Sequence, residues 1–126
     1  MTSQAACPIV LVVEDEPNFR FILCEYLESE GYRVLQAGSA DQAFQILASK
    51  PHLDLLITDF RLPDGVTGVM IAEPALKLRP ELKVLYMSGH PADLFESGTP
   101  TLALAPILVK PFSFDHLARQ IRTLLP

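Results

Sequence analysis

Five short apolar runs rich in Val, Ile and Leu alternate along this chain with segments of helical periodicity, and that alternation leaves few folds open. Runs that are apolar on consecutive residues, with no interior proline, predict strands buried on both faces, and such strands need helices on both sides of a parallel sheet. They run from Ile9 to Val13, Arg33 to Ala37, Leu53 to Thr58, Lys83 to Met87 and Ile107 to Val109. The expected architecture is (βα)5, an α/β doubly wound sheet of five parallel strands. A chain of 126 residues suits one such domain, expected over residues 8–126 after a tail at 1–7.

The first intervening segment places Phe19, Ile22, Leu23, Tyr26 and Leu27 on one stripe. Gly31 follows where a helix end favours a residue tolerant of positive φ. The second opens with Ser39-Ala40-Asp41-Gln42, a capping-box pattern, stacks Ala40, Ala43, Phe44 and Leu47 toward the sheet, and ends before Pro51. The third, from about Gly68 to Leu78, contains Pro74, whose missing N–H and ring clash predict a kink or a restart. The fourth, after Ser88, holds Pro91, Gly98 and Pro100 and is expected to be short and imperfect. The last begins with Ser113 as N-cap, and Phe114, Leu117, Ala118, Ile121 and Leu125 form its apolar face.

Composition narrows the function. A formal net charge of −5 argues against a nucleic-acid surface, since duplex binding relies on Lys and Arg neutralising phosphates. No apolar run reaches the roughly eighteen residues of a spanning helix, and the N-terminus lacks a basic start followed by an apolar stretch, so a cytoplasmic protein is expected. Cys7 and Cys24 form neither a Cys-x-x-Cys pair nor a metal cluster with the scattered His52, His90 and His116. Free thiols in a reducing compartment are the expectation.

In a doubly wound sheet, ligands sit outside the carboxyl ends of the strands, near the point where strand order reverses. Strand one runs out into Glu14-Asp15, strand three into Asp59, strand four into Ser88 and strand five into Lys110-Pro111. In the flavodoxin-like order 2-1-3-4-5 these ends are neighbours. Carboxylates so gathered repel by roughly 4 kcal/mol per pair at ~4 Å and an effective dielectric near ~20, so a hard cation such as Mg2+ would be needed to offset them. Asp59, between a buried strand and a turn, could then act as a nucleophile toward phosphorus, with Lys110 as a second positive charge.

The segments Val-Val-Glu14-Asp15-Glu-Pro, Leu-Leu-Ile-Thr-Asp59-Phe-Arg-Leu-Pro-Asp-Gly, Val-Leu-Tyr-Met-Ser88-Gly and Val-Lys110-Pro111-Phe112 resemble the signatures of response-regulator receiver domains. The resemblance implies that Asp59 is the phosphoacceptor. It also implies that Glu14, Asp15 and Asp59 bind Mg2+ with the backbone carbonyl of Arg61, that Ser88 and Lys110 contact the phosphoryl group, and that Pro111 is cis. It places Arg61 and His90 at positions that tune dephosphorylation. The implied partner is a histidine kinase or histidine phosphotransfer domain docking near Asn18 and the Pro111-Phe112 loop; a weak homodimer is a further expectation, and neither nucleic acid nor membrane insertion is expected. Such a domain is no enzyme beyond assisting its own phosphorylation and dephosphorylation. Tyr86-Met-Ser-Gly-His and Leu-Val-Lys-Pro-Phe-Ser also resemble receivers attached to hybrid histidine kinases. One departure stands out: Ile107 occupies the place, three residues before the lysine, where the family usually carries its switch aromatic.

Three alternatives fit less of the chain. An aspartyl-nucleophile phosphatase of the haloacid-dehalogenase type would need a second aspartate where Arg61 stands. A flavin protein would need a Gly/Ser/Thr-rich phosphate cradle where Glu14-Asp15-Glu16 stands. A receiver-like module that binds without phosphorylation draws support from Ile107, against the set Glu14, Asp15, Asp59, Ser88 and Lys110.

Overall fold

The computed structural model describes residues 7–49, 51–89 and 106–126. In chain order these form β1 (Ile9–Val13), α1 (Pro17–Ser29), β2 (Arg33–Ala37), α2 (Ala40–Ala48), β3 (Leu55–Asp59), α3 (Gly68–Leu78), β4 (Lys83–Ser88), β5 (Ile107–Val109) and α4 (Phe114–Leu124). All four strand pairs are parallel and the order is β2-β1-β3-β4-β5. This is the flavodoxin-like sheet the sequence predicts. The expected fourth helix, with His90, lies outside the described residues, as does most of the irregular stretch before Pro106.

Side chains alternate across the sheet into two separate cores. Leu11, Val13, Leu56 and Tyr86 point into one, with α2 and α3 packed over them; Val10, Val12, Leu55, Ile57, Leu85 and Met87 point into the other, beneath α1 and α4. Both faces of β1 and β3 are thereby sealed, which explains why those strands read as unbroken apolar runs.

The helix ends follow local chemistry. Glu16 caps α1 by accepting from the Phe19 N–H at 2.7 Å, with Pro17 in the first turn, where its missing N–H costs nothing. At the other end Gly31 has φ +96°, the Gly31 N–H donates to Glu28 and the Tyr32 N–H to Leu27, a Schellman closure. Ser39 caps α2 by accepting from the Gln42 N–H. The Gln42 side chain reciprocates on the Gly38 N–H at 2.6 Å, one residue earlier than in the usual box. Ser113 caps α4 as expected.

Five expectations are corrected. The third strand begins at Leu55, not Leu53: Leu53 is buried but precedes the ladder, and Asp54 turns its carboxylate onto the Ile9 N–H. The fourth strand runs one residue further, to Ser88. On α1 the buried stripe is Leu23, Cys24 and Leu27 while Ile22 is half exposed, and on α2 Phe44 is exposed. The third helix does not restart at Pro74. Pro74 and Met70, whose carbonyl it leaves unbonded, are both on the solvent side, so water can satisfy that oxygen while Ile71, Ala72 and Ala75 stay packed inward.

Gly68 lets α3 start directly against the tip of β3. Its N–H donates to the Phe60 carbonyl at 2.8 Å, and a Cβ there would lie 2.5 Å from the Asp59 carbonyl oxygen and 3.0 Å from Thr58 Cγ2. Gly68→Ala is therefore expected to lower the unfolding free energy by about 1–3 kcal/mol, measured by urea denaturation.

Candidate functional site

The ladder continues one step past the strand ends. The Glu14 N–H donates to the Ala37 carbonyl (3.1 Å), the Phe60 N–H to Met87 (2.7 Å) and the Lys110 N–H to Ser88 (2.6 Å). These bonds hold the tips of β1, β3, β4 and β5 in register and aim their next side chains at one place. The peptide before Pro111 is cis, as the resemblance implies. Beyond Asp59 the chain turns through Asp64 and Gly65, both at positive φ, and returns with an antiparallel bridge between Arg61 and Thr67, which fixes the peptide that carries the Arg61 carbonyl.

Glu14, Asp59 and Ser88 are buried, with exposures of 1%, 5% and 3%, while Asp15 is exposed. Lys110 Nζ lies 2.8 Å from Glu14 Oε1 and 2.7 Å from Asp59 Oδ1. The other Glu14 oxygen accepts from the Glu16 N–H at 2.9 Å. Carboxylate oxygens of Glu14, Asp15 and Asp59 all fall within 4.8 Å of one another. An open cleft of about 200 Å³ above them is lined by Asp15, Asp59, Arg61, Met87, Ser88, Gly89 and Lys110. A larger hollow, about 370 Å³, lies at the opposite end of the sheet around Ile9, Arg33 and His52 and gathers no such acidic set.

Two buried acids sharing one lysine cannot both keep full charge. Burial, with the Glu14 charge beside it, pushes the Asp59 carboxyl up to about 7 against the pull of Lys110. Burial also works against ionised Glu14, but bonds from Lys110, the Glu16 N–H and Asp59 outweigh it and bring Glu14 below the usual carboxylate range. For Lys110, burial is outweighed by Asp59 and Glu14, and the ammonium is held more firmly than usual. Near neutrality the metal-free pair behaves as one unit in which Glu14 keeps its charge and Asp59 readily holds a proton. The donor set is made wholly of hard oxygens in a tight cluster, which fits a small divalent cation such as Mg2+.

Every site residue named from the sequence that falls within the described residues is thus brought to this end of the sheet. Sequence reasoning missed the supporting shell. Phe19, read as plain core, lies with its ring 5.0 Å beneath Lys110 Nζ and edge-on to Phe112. Arg20, unremarked in the sequence, donates through Nη1 to the Glu14 carbonyl at 2.9 Å. The signal available was a lone arginine, one turn into a helix that starts beside the acidic pair.

Comparison with known proteins decides the family. The model of the response regulator receiver domain family matches residues 10–122. The chain is a response regulator receiver domain. Among curated relatives, the sensor kinase CckA of Brucella abortus is 30% identical over 125 residues, 98% of this chain but 13% of that kinase. The response regulator receiver protein CpdR of the same organism is 29% identical over 116 residues, 92% of this chain and 95% of CpdR. The receiver therefore spans nearly the whole of one relative and a small part of another. Among solved structures, the Thermotoga maritima response regulator TrrA in complex with Mg2+ and beryllofluoride aligns over 93% of this chain and 98% of its own, at 30% identity and a TM-score of 0.79. Receivers are signalling phosphoacceptors of two-component systems rather than enzymes in the usual sense, and they bind Mg2+ at an acidic pocket. No helix among the described residues is long and apolar enough to cross a membrane.

Proposed function

We propose that this receiver takes a phosphoryl group onto Asp59, with Glu14, Asp15, Asp59 and the Arg61 carbonyl as the Mg2+ site and with Ser88 and Lys110 as the phosphoryl contacts. The observation that carries this reading is Lys110 Nζ within 2.8 Å of both buried acids, Glu14 and Asp59, and Asp15 beside them. The TrrA complex with Mg2+ and beryllofluoride supports it by likeness.

The buried carboxyl of Asp59 must first lose the proton that desolvation favours. An Asp59 oxygen then forms a bond to phosphorus as the P–N bond of a phosphohistidine breaks, and the imidazole leaves with a proton drawn from solvent. A bound divalent cation would supply charge neutralisation for the transferring group. Lys110, released from sharing between two acids, can turn to the new anion. The Ser88 hydroxyl, at the cleft wall, can donate to a phosphoryl oxygen. Attack of water on the same phosphorus returns Asp59 and inorganic phosphate. In this reading the domain assists only its own phosphorylation and dephosphorylation.

The donor is a histidine kinase or histidine phosphotransfer domain, seated over the exposed Asn18 at the start of α1 and the Pro111-Phe112 loop. The net charge of −5 supports a protein partner rather than nucleic acid. A cytoplasmic setting, a tail over 1–7 ahead of the receiver at 8–126, and a weak homodimer belong to the same proposal. Ile107, beside Tyr86 in the sheet, removes the family's usual aromatic reporter, so coupling to output runs through other side chains.

Intact mass after incubation with Mg2+ and a small acyl phosphate tests the assignment. One phosphoryl increment is expected on the wild type and none on Asp59→Asn; an increment on both places the acceptor elsewhere.

A further inference from the structure

Arg20 sits at the junction of three segments. Nη1 donates to the Glu14 carbonyl at 2.9 Å, and Nε donates to Gln36 Oε1 on β2 at 3.1 Å. Gly38, just past β2, makes room for the same group: a Cβ at residue 38 would lie 2.6 Å from Arg20 Nη1 and 3.2 Å from its Cζ. The guanidinium occupies the space that a side chain on residue 38 would take.

The atom it grips matters. The Glu14 carbonyl and the Asp15 N–H belong to one rigid peptide plane, so whatever fixes that oxygen also fixes the N–Cα bond about which the Asp15 side chain is placed. The N–H of Glu14 is already held by the Ala37 carbonyl, and its two carboxylate oxygens by Lys110 and the Glu16 N–H. Arg20 supplies the remaining restraint, at the joint between the two acids.

We propose that Arg20 is a positioning residue for the cation site, pinning the Glu14–Asp15 peptide so that both carboxylates stand ready beside Asp59. The inference rests on reading the acidic cluster as a magnesium site. It makes a prediction opposite in sign to simple electrostatics. Deleting a positive charge near a cation site should tighten cation binding, whereas deleting a positioning group should weaken it.

The test is calorimetric titration of the whole chain with Mg2+ alone, comparing wild type, Arg20→Gln, Arg20→Lys, Gly38→Ala, the Arg20→Gln/Gly38→Ala double variant, and Asp15→Asn. Metal-free thermal unfolding of each variant runs alongside. Arg20→Gln is expected to weaken Mg2+ binding roughly tenfold despite the lost positive charge, the scale of outer-shell effects at metal sites. Arg20→Lys keeps the charge but loses the fork, and is expected to weaken it less. Gly38→Ala displaces the guanidinium without removing it, and is expected to weaken binding in the wild-type background while having no further effect beside Arg20→Gln. Should Arg20→Gln fold poorly, Arg20→Lys and Gly38→Ala carry the comparison. Unchanged or tighter binding in Arg20→Gln, or an equal Gly38→Ala penalty in both backgrounds, overturns the role of Arg20. Wild-type affinity in Asp15→Asn instead overturns the magnesium reading beneath it, a separate result.

Discussion

Asp59→Asn is expected to make the metal-free protein more stable at pH 8 while abolishing phosphoryl uptake. In the folded chain burial raises the Asp59 carboxyl to about 7, against 3.8 for the free group. The folded state therefore keeps its proton to higher pH than the unfolded chain does. Stability is greatest where both states are protonated, declines as pH rises from about 4 toward 7, and levels off above that. The full shift corresponds to at most about 4 kcal/mol, at roughly 1.4 kcal/mol per pH unit. Glu14, shifted the other way, loses its contribution as pH falls through the acid range, so the two trends oppose each other there. Asparagine keeps the shape and an oxygen for Lys110 but never ionises. In chelator, denaturant unfolding should show the wild type losing about 2–3 kcal/mol between pH 5 and 8, and Asp59→Asn losing much less. Magnesium should stabilise the wild type at pH 8 and leave the variant nearly unaffected. Parallel pH profiles would show that Asp59 is not the strained acid.

Lys110→Met is the counterpart, because it removes the cation and leaves the acids in place. Glu14 and Asp59 then face each other with 1% and 5% exposure and without the ammonium that bridged them. Removing one member of a buried charge cluster costs about 3–5 kcal/mol; because the Lys110 side chain is itself 29% exposed, about 2–3 kcal/mol is expected here at pH 8 without metal. At pH 5 the cost should shrink, since the raised Asp59 carboxyl then holds a proton and Glu14 alone is left facing the lost cation. Added Mg2+ should restore much of the stability. A penalty equal at both pH values would mean that Lys110 acts through its packing over Phe19 rather than through its charge.

Much of this was legible because the decisive residues sit where strand physics puts them. β1, β2 and β5 have the bounds that their apolar runs predict, and with parallel order set, Glu14, Asp59, Ser88 and Lys110 follow each strand to one edge. The misreadings share a cause: local apolarity without phase. Phe21, Ile22 and Leu23 are three apolar residues in a row, so the sequence does not say which faces inward; the structure buries Leu23 with Cys24 and leaves the other two exposed. Leu53 is buried yet precedes the strand because Asp54 meets Ile9, its N–H donating to the Ile9 carbonyl and its carboxylate accepting from the Ile9 N–H. Pro74 is tolerated because it faces water, a direction no single-residue rule encodes. The supporting roles of Phe19 and Arg20 were hidden for a different reason. They act through distances between α1, β2 and the acidic loop, which appear once the chain is folded.

The acidic cluster tolerates a transferred anion only if metal and lysine share the charge in the geometry inferred above. A crystal structure of this receiver with Mg2+ and beryllofluoride measures that geometry directly. The expected result is beryllium bonded to an Asp59 oxygen, its fluorines within hydrogen-bond reach of Ser88 Oγ and Lys110 Nζ, and the metal in the site formed by Glu14, Asp15, Asp59 and the Arg61 carbonyl. A beryllofluoride bound elsewhere, or a metal seated away from Asp59, would contradict it.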